Sequence, residues 1–99
     1  QFIEVSLDVY ETKQSLIVIA DLPGIREADF AVTARGNWII LEGTKPFIPE
    51  DTDEHYLFHR IERRFGKFSR KINIPERFDP EETKAEMRKG TLVLTIPAR

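Results

Sequence analysis

The sequence has 99 residues, of which 40% are hydrophobic and 32% are charged, and it carries a net charge of −2 and no cysteine. This length supports one domain with a single modest core, and the lack of cysteine excludes disulfides and thiolate chemistry and fits a cytoplasmic location. The small net charge gives no basis for binding nucleic acid or an anionic membrane, and no apolar run approaches the ~20 residues of a membrane span.

Period-two alternation of apolar and polar residues marks the start of the chain. Val5, Leu7 and Val9 alternate with polar side chains, which predicts a half-buried first strand over residues 5–10. Residues 15–20 form a nearly continuous apolar run rich in β-branched side chains, which favours a second strand. The Asp21-Leu22-Pro23-Gly24 sequence that follows is typical of a turn.

The middle of the chain alternates again and then breaks the pattern. One helical turn is expected over residues 25–29, followed by two strands over 30–34 and 38–41 that meet at Gly36-Asn37. Residues 44–55 contain two prolines and four carboxylates, which is typical of a solvated loop.

The rest of the chain contains four more strand signals. They are a possible short strand over residues 56–61, a strand over 67–74 with Phe68, Ile72 and Ile74 on one face, and the two arms of a hairpin that turns at Lys89-Gly90. A polar connector over residues 77–83 separates the last two features. Seven or eight short strands with almost no helix predict an all-β, antiparallel, immunoglobulin-like β-sandwich.

Arg70 interrupts an otherwise apolar face, because it shares parity with Phe68 and Ile72. A charge in this position needs water, a partner or an interface. One interpretation is a strand near a sheet edge, from which the side chain reaches solvent. The other is an ion pair across a subunit contact, for which the planar guanidinium is well suited.

Signals for catalysis, metal binding and RNA binding are weak. His55 and His59 would lie roughly 13 Å apart on an extended chain, too far to share a metal. The serines lie in no nucleophile motif, the carboxylate pairs lie in polar connectors, and no phosphate-binding glycine loop is present. The basic, aromatic residues 60–71 only partly match an RNA-binding strand. We expect no enzyme activity, no cofactor, no metal and no nucleic-acid partner.

Five motifs in combination resemble the α-crystallin domain of small heat-shock proteins, of the non-metazoan type, over essentially all 99 residues. They are D-V-Y-E-T at 8–12, A-D-L-P-G-I at 20–25, E-R-R-F-G-K-F-S-R at 62–70, I-N-I-P at 72–75 and A-E-M-R-K-G-T-L-V-L-T-I-P at 85–97.

The resemblance implies an ATP-independent holdase that binds partly unfolded client proteins and suppresses their aggregation. It also implies a homodimer in which a loop strand, residues 56–60, docks along residues 5–10 of the partner. The implied dimer-interface residues are Val5, Leu7, Val9, Tyr56, Leu57, Phe58, His59, Arg60 and Arg70.

The resemblance further implies a groove between the fourth and eighth strands of the family fold that takes a C-terminal I-x-I segment from another subunit or a client segment. The implied groove residues are Phe30, Val32, Ala34, Ala85, Met87, Leu92 and Leu94. The alternative for each of them is a place in the core.

We expect residues 1–99 to be this domain without the family's N-terminal arm and C-terminal I-x-I tail, cut from a longer parent that forms higher oligomers. The chain would then be a dimer with weaker chaperone activity than the parent. One alternative is a CS-type co-chaperone module, built on a similar sandwich, that binds a folded chaperone. Another is an immunoglobulin-like adhesion domain, against which the absence of cysteine argues.

Overall fold

The computed structural model describes residues 2–47 and 57–99. These residues form seven strands: β1 (Leu7–Glu11), β2 (Ser15–Asp21), β3 (Phe30–Arg35), β4 (Trp38–Lys45), β5 (Gly66–Asn73), β6 (Lys84–Arg88) and β7 (Thr91–Pro97). Two short 3-10 helices cover Glu27–Asp29 and Pro80–Glu82. The predicted all-β architecture is confirmed, and the helical turn expected over residues 25–29 is the first 3-10 helix.

The strands form two antiparallel sheets. One sheet has four strands in the order β1-β2-β7-β6, and the other has three in the order β3-β4-β5. The central strands β2 and β7 alternate half-buried and buried residues along their length, as expected where one face packs on the core and the other faces outward. The two sheets therefore enclose one core between their inner faces.

The core draws buried apolar side chains from both sheets and from the connecting loops. They are Val5, Leu16, Val18, Ala20, Leu22, Ile25, Ile39, Leu41, Phe68, Ile72, Ile74, Phe78, Leu92, Leu94 and Ile96. Each buried Val, Leu, Ile or Phe side chain in this set contributes about 1.5–3 kcal/mol of transfer free energy. Five members of this set lie outside the strands, and their side chains complete the core between the two sheets. They are Val5, Leu22, Ile25, Ile74 and Phe78.

The hairpin between β6 and β7 turns as the sequence predicts. Lys89 and Gly90 both have positive φ, 48° and 82°, which is the backbone of a two-residue type I′ turn. The carbonyl of Gly90 accepts a hydrogen bond of 2.6 Å from the amide of Leu22. The turn thus anchors the loop that follows β2 as well as joining β6 to β7.

Several strand boundaries differ from the sequence prediction. β4 runs to Lys45, beyond the predicted end at residue 41 and into the loop predicted over residues 44–55. The first strand begins at Leu7 rather than at residue 5, because Val5 turns inward and joins the core. The described part of the expected strand over residues 56–61 is irregular. A strand persists only where its backbone pairs in a ladder, and residues 57–61 pair with no described strand.

Candidate functional site

The outer edge of β1 is the first candidate interaction surface. β1 lies at the end of its sheet, and no strand in the described part of the chain pairs with its free side. Val9 and Tyr10 expose 48% and 51% of their surface. Unpaired N–H and C=O groups beside exposed apolar side chains form a template for another extended segment.

The predicted interface residues on this side of the molecule separate into two groups. Val5 is only 4% exposed and packs in the core. Leu7 is half-buried and packs against the core. Val9 is the exposed member of the three. The structure therefore leaves the middle of β1, rather than the segment before it, open to a partner.

The described part of the predicted crossing segment carries exposed side chains. Leu57 is 85% exposed and Phe58 is 44% exposed, and His59 and Arg60 are also exposed. The Arg60 guanidinium lies 3.5 Å from the Glu62 carboxylate, with both side chains mostly in solvent. Tyr56, the remaining predicted member, lies outside the described residues.

An aromatic cluster at the base of this segment was missed by the sequence analysis. The ring of Phe47 lies 5.1 Å from that of Phe58 and 4.4 Å from that of Phe65, measured between centroids. Such tilted pairs at these separations are favourable. Because the three residues are far apart in sequence and lie outside strands, no periodicity could have indicated the cluster.

Arg70 lies on β5, at the edge of the three-stranded sheet. Its Nη1 donates a hydrogen bond to the backbone carbonyl of Val5. The segment before β1 also contacts this edge where the amide of Ile3 donates to the carbonyl of Lys67 at 2.8 Å. Within one chain, therefore, Arg70 joins β5 to the segment that leads into β1.

The predicted groove residues lie on the opposite side of the sandwich, where β3 and β6 are edge strands of different sheets. Phe30, Val32 and Met87 are half-buried and pack against the core, Ala34 is half-buried and Ala85 is exposed. Leu92 and Leu94 are 1% and 0% exposed and form part of the core, as the alternative interpretation holds. Fewer of the predicted groove residues are therefore accessible on this surface than the sequence analysis implied.

A second feature that the sequence analysis missed is a set of contacts between Arg77 and the turn from β1 to β2. Arg77 places one guanidinium nitrogen 3.1 Å from the Glu11 carboxylate and 3.0 Å from the carbonyl of Thr12. The guanidinium also lies 4.2 Å from the ring centroid of Phe78, a buried residue. Arg77 therefore fixes the turn at the end of β1 to the core, although its sequence neighbourhood looks like an ordinary polar connector.

Chemical signatures of catalysis or metal binding are sparse. Within residues 2–47 and 57–99, no group of three or more His, Cys, Asp or Glu side chains is arranged to hold a metal ion. His55 lies outside the described residues. The pKa of Asp29 is lowered, chiefly because its carboxylate accepts hydrogen bonds from the side chain and the backbone amide of Arg26. No helix among the described residues is long and apolar enough to cross a membrane.

The family assignment follows from comparison with known proteins. A model of the Hsp20/alpha crystallin family matches residues 8–99. The chain belongs to this family. Spore protein SP21 of Stigmatella aurantiaca is 38% identical over 94 residues, which cover 95% of this chain and 54% of that protein. The 16.9 kDa class I heat shock protein 3 of Oryza sativa is 33% identical over 97 residues, which cover 97% of this chain and 64% of that protein.

Solved structures of small heat-shock proteins share the fold. Heat shock protein 16.0 from Schizosaccharomyces pombe superposes with a TM-score of 0.81 at 32% identity, covering 97% of this chain and 87% of that one. A small heat-shock protein from Xylella fastidiosa superposes with a TM-score of 0.83 at 30% identity, covering 100% and 89%. The predicted α-crystallin fold is confirmed, and the chain spans less than two thirds of the curated relatives' length.

Proposed function

We propose that this chain is the α-crystallin domain of an ATP-independent holdase chaperone. The observation that carries the proposal is the family match over residues 8–99, together with the sheet edges at β1, β3 and β6, which no strand in the described structure pairs. Partly unfolded proteins expose apolar segments and unpaired backbone groups, and open edges with apolar side chains bind such segments by strand addition. Binding of this kind needs no nucleotide and no covalent step, so the protein acts without enzyme chemistry.

The proposal includes a homodimer formed by strand exchange. The segment that contains Tyr56, Leu57, Phe58, His59 and Arg60 docks on the β1 edge of a second copy. The exposure of Val9 and Tyr10 on β1, and of Leu57 on the segment, supports this arrangement because docking buries these apolar surfaces. Arg70 supports it indirectly, since it fixes the chain that leads into β1.

The second binding surface in the proposal lies between β3 and β6. Val32 on β3 and Met87 on β6 pack against the core and keep part of their surface accessible, so an extended segment with alternating apolar residues, from another subunit or a client, can contact both. In the longer protein this surface supports higher oligomers. A cytoplasmic location fits the cysteine-free sequence.

The CS-type alternative gains no support from the described contacts, and the family match favours the small heat-shock interpretation. The holdase and co-chaperone interpretations can be distinguished by whether the bound protein is folded or unfolding. A holdase binds a client only as it unfolds, whereas a co-chaperone module binds a folded partner.

Suppression of heat-induced aggregation tests the proposal. Light scattering from a heat-labile enzyme should fall in proportion to added chain, without ATP, and addition of ATP should not change the result. A variant with Val32→Asp and Val9→Asp should protect less, while Glu81→Gln, a substitution at an exposed site in the second 3-10 helix, should protect equally. Unchanged client aggregation at a large molar excess of the chain would refute holdase activity for this domain.

A further inference from the structure

The two faces of β1 differ in chemistry. Its register with β2 pairs Leu7 with Ala20 and Val9 with Val18, both of which are buried, so residues 7, 9 and 11 share the core-facing side. Asp8 and Tyr10 alternate with them and lie on the outer side. A strand that pairs with β1 must therefore carry apolar side chains on its core-facing side. On its outer side it must carry groups that pair favourably with the Asp8 carboxylate and the Tyr10 ring.

The segment over residues 57–61 has a matching alternation. In an extended conformation Leu57, His59 and Ile61 share one face and Phe58 and Arg60 share the other. Leu57 and Ile61 are 85% and 54% exposed in the single chain, so the apolar face is available for burial. The opposite face combines one aromatic ring with one positive charge.

We propose that, in the exchanged dimer, residues 57–61 pair antiparallel with β1 of the second copy in one register, which places Arg60 opposite Asp8. This inference rests on the strand exchange proposed above. The remaining pairs of the register are Leu57 with Glu11, Phe58 with Tyr10, His59 with Val9 and Ile61 with Leu7. The outer face then holds an ion pair beside an aromatic pair, and on the inner face Leu57 and Ile61 lie on either side of His59, which faces Val9.

Neighbouring registers are disfavoured by the same side chains. A shift of one residue turns Leu57 and Ile61 to the outer face, which leaves the apolar side chains in solvent. A shift of two residues in one direction places Glu62 opposite Asp8, and in the other direction it moves Arg60 from Asp8 to Ser6, ahead of β1. Like charges directly across a strand pair are unfavourable, so Glu62 disfavours the first slip, and the second is disfavoured because it gives up the ion pair.

The ion pair also selects the partner. Asp8 makes no ion pair within the described residues, whereas Arg60 has only the solvent-exposed contact to Glu62. Because a twofold dimer forms each cross-strand pair twice, reversal of one charge creates two repulsive contacts. A second copy with the same charges is therefore preferred over a related chain that lacks either one.

Charge reversal with sedimentation measurements tests the register. Asp8→Arg and Arg60→Asp should each raise the dimer dissociation constant by about tenfold or more. The double variant should return it to within about threefold of the original value. Glu86→Arg, on the far edge strand β6, serves as the control and should change nothing. Equal dimer affinity in the original chain and both single variants would overturn the register.

Cysteine trapping gives an independent test on a cysteine-free background. Tyr10→Cys combined with Phe58→Cys should form an intermolecular disulfide on mild oxidation, because opposed residues lie within bonding range. Tyr10→Cys combined with His59→Cys should not, since these side chains point to opposite faces. A dimer that cross-links only in the second variant would overturn the register and leave strand exchange intact, whereas an original chain that stays monomeric would overturn both.

Discussion

Arg70 donates a hydrogen bond from its guanidinium to the backbone carbonyl of Val5, and so it links the edge of one sheet to the chain that enters the other. Val5 is 4% exposed and belongs to the core. The charge that the sequence places on an apolar face thus has a partner inside its own chain, and it lies at a sheet edge as the first of the two interpretations holds.

Removal of this guanidinium should loosen the segment before β1. We expect Arg70→Ala to lower the free energy of unfolding by about 1–2 kcal/mol, because a charged hydrogen bond is lost at a partly exposed site. The amide of Ile3, which donates to Lys67, should exchange its hydrogen faster. Lys71→Ala, on the opposite face of the same strand, is the control. Unchanged exchange at Ile3 in Arg70→Ala would show that Arg70 does not hold this segment.

Gly43 lies where two strands meet too closely for a side chain. A Cβ there would be 2.3 Å from the carbonyl oxygen of Asp29 and 2.8 Å from the Cα of Phe30, both backbone atoms. We expect Gly43→Ala to cost about 3 kcal/mol in urea unfolding, because the β3–β4 pairing must shift. Gly36→Ala has open space but φ of +60° and should cost about 1 kcal/mol. Equal costs for the two variants would contradict the steric account of Gly43.

Substitutions near the surface between β3 and β6 should separate effects on the stability of the fold from effects on peptide binding. Leu94 is fully buried, so Leu94→Ala should destabilise the fold by about 3 kcal/mol through loss of packing and the cavity left behind. Met87 on β6 is half-buried, and Met87→Ala should cost about 1 kcal/mol or less while weakening capture of an I-x-I peptide. Calorimetric titration of that peptide into both folded variants would decide the point. Undiminished peptide affinity in Met87→Ala would remove Met87 from the binding surface.

The Asp29 carboxylate gives a pH-dependent contribution to stability. Its folded-state pKa is lowered by hydrogen bonds from Arg26, so its stabilising effect is complete above the unfolded-state pKa of about 3.9 and is lost as the pH falls through the folded-state value. Asp29→Asn should therefore be less stable than the original chain at pH 6, and the difference should shrink below pH 4. Glu27→Gln, in the same 3-10 turn, should show no such pattern. A difference that persists unchanged at pH 2 would contradict the linkage.

The strands could be predicted where the side-chain alternation is set by one buried face. β2 and β7 alternate along their whole length because each packs between two other strands over the core. The start of β1 could not be predicted, since Val5 is apolar for a different reason, namely that it leaves the strand and enters the core.

The interaction surfaces were only partly predictable for a related reason. Alternation in Leu92 and Leu94 indicates that one face is covered, but it does not say whether the cover is the other sheet or a bound segment. The aromatic cluster around Phe47 and the contacts of Arg77 with the β1–β2 turn join residues that are far apart in sequence, which no local pattern encodes.

The oligomeric state tests the central claim most directly. Sedimentation equilibrium over a concentration series should give the mass of two chains, with dissociation to one chain on dilution, and Val9→Asp should shift that equilibrium toward the single chain. A mass of one chain at every concentration would contradict strand exchange through the β1 edge and, with it, the proposed dimeric holdase.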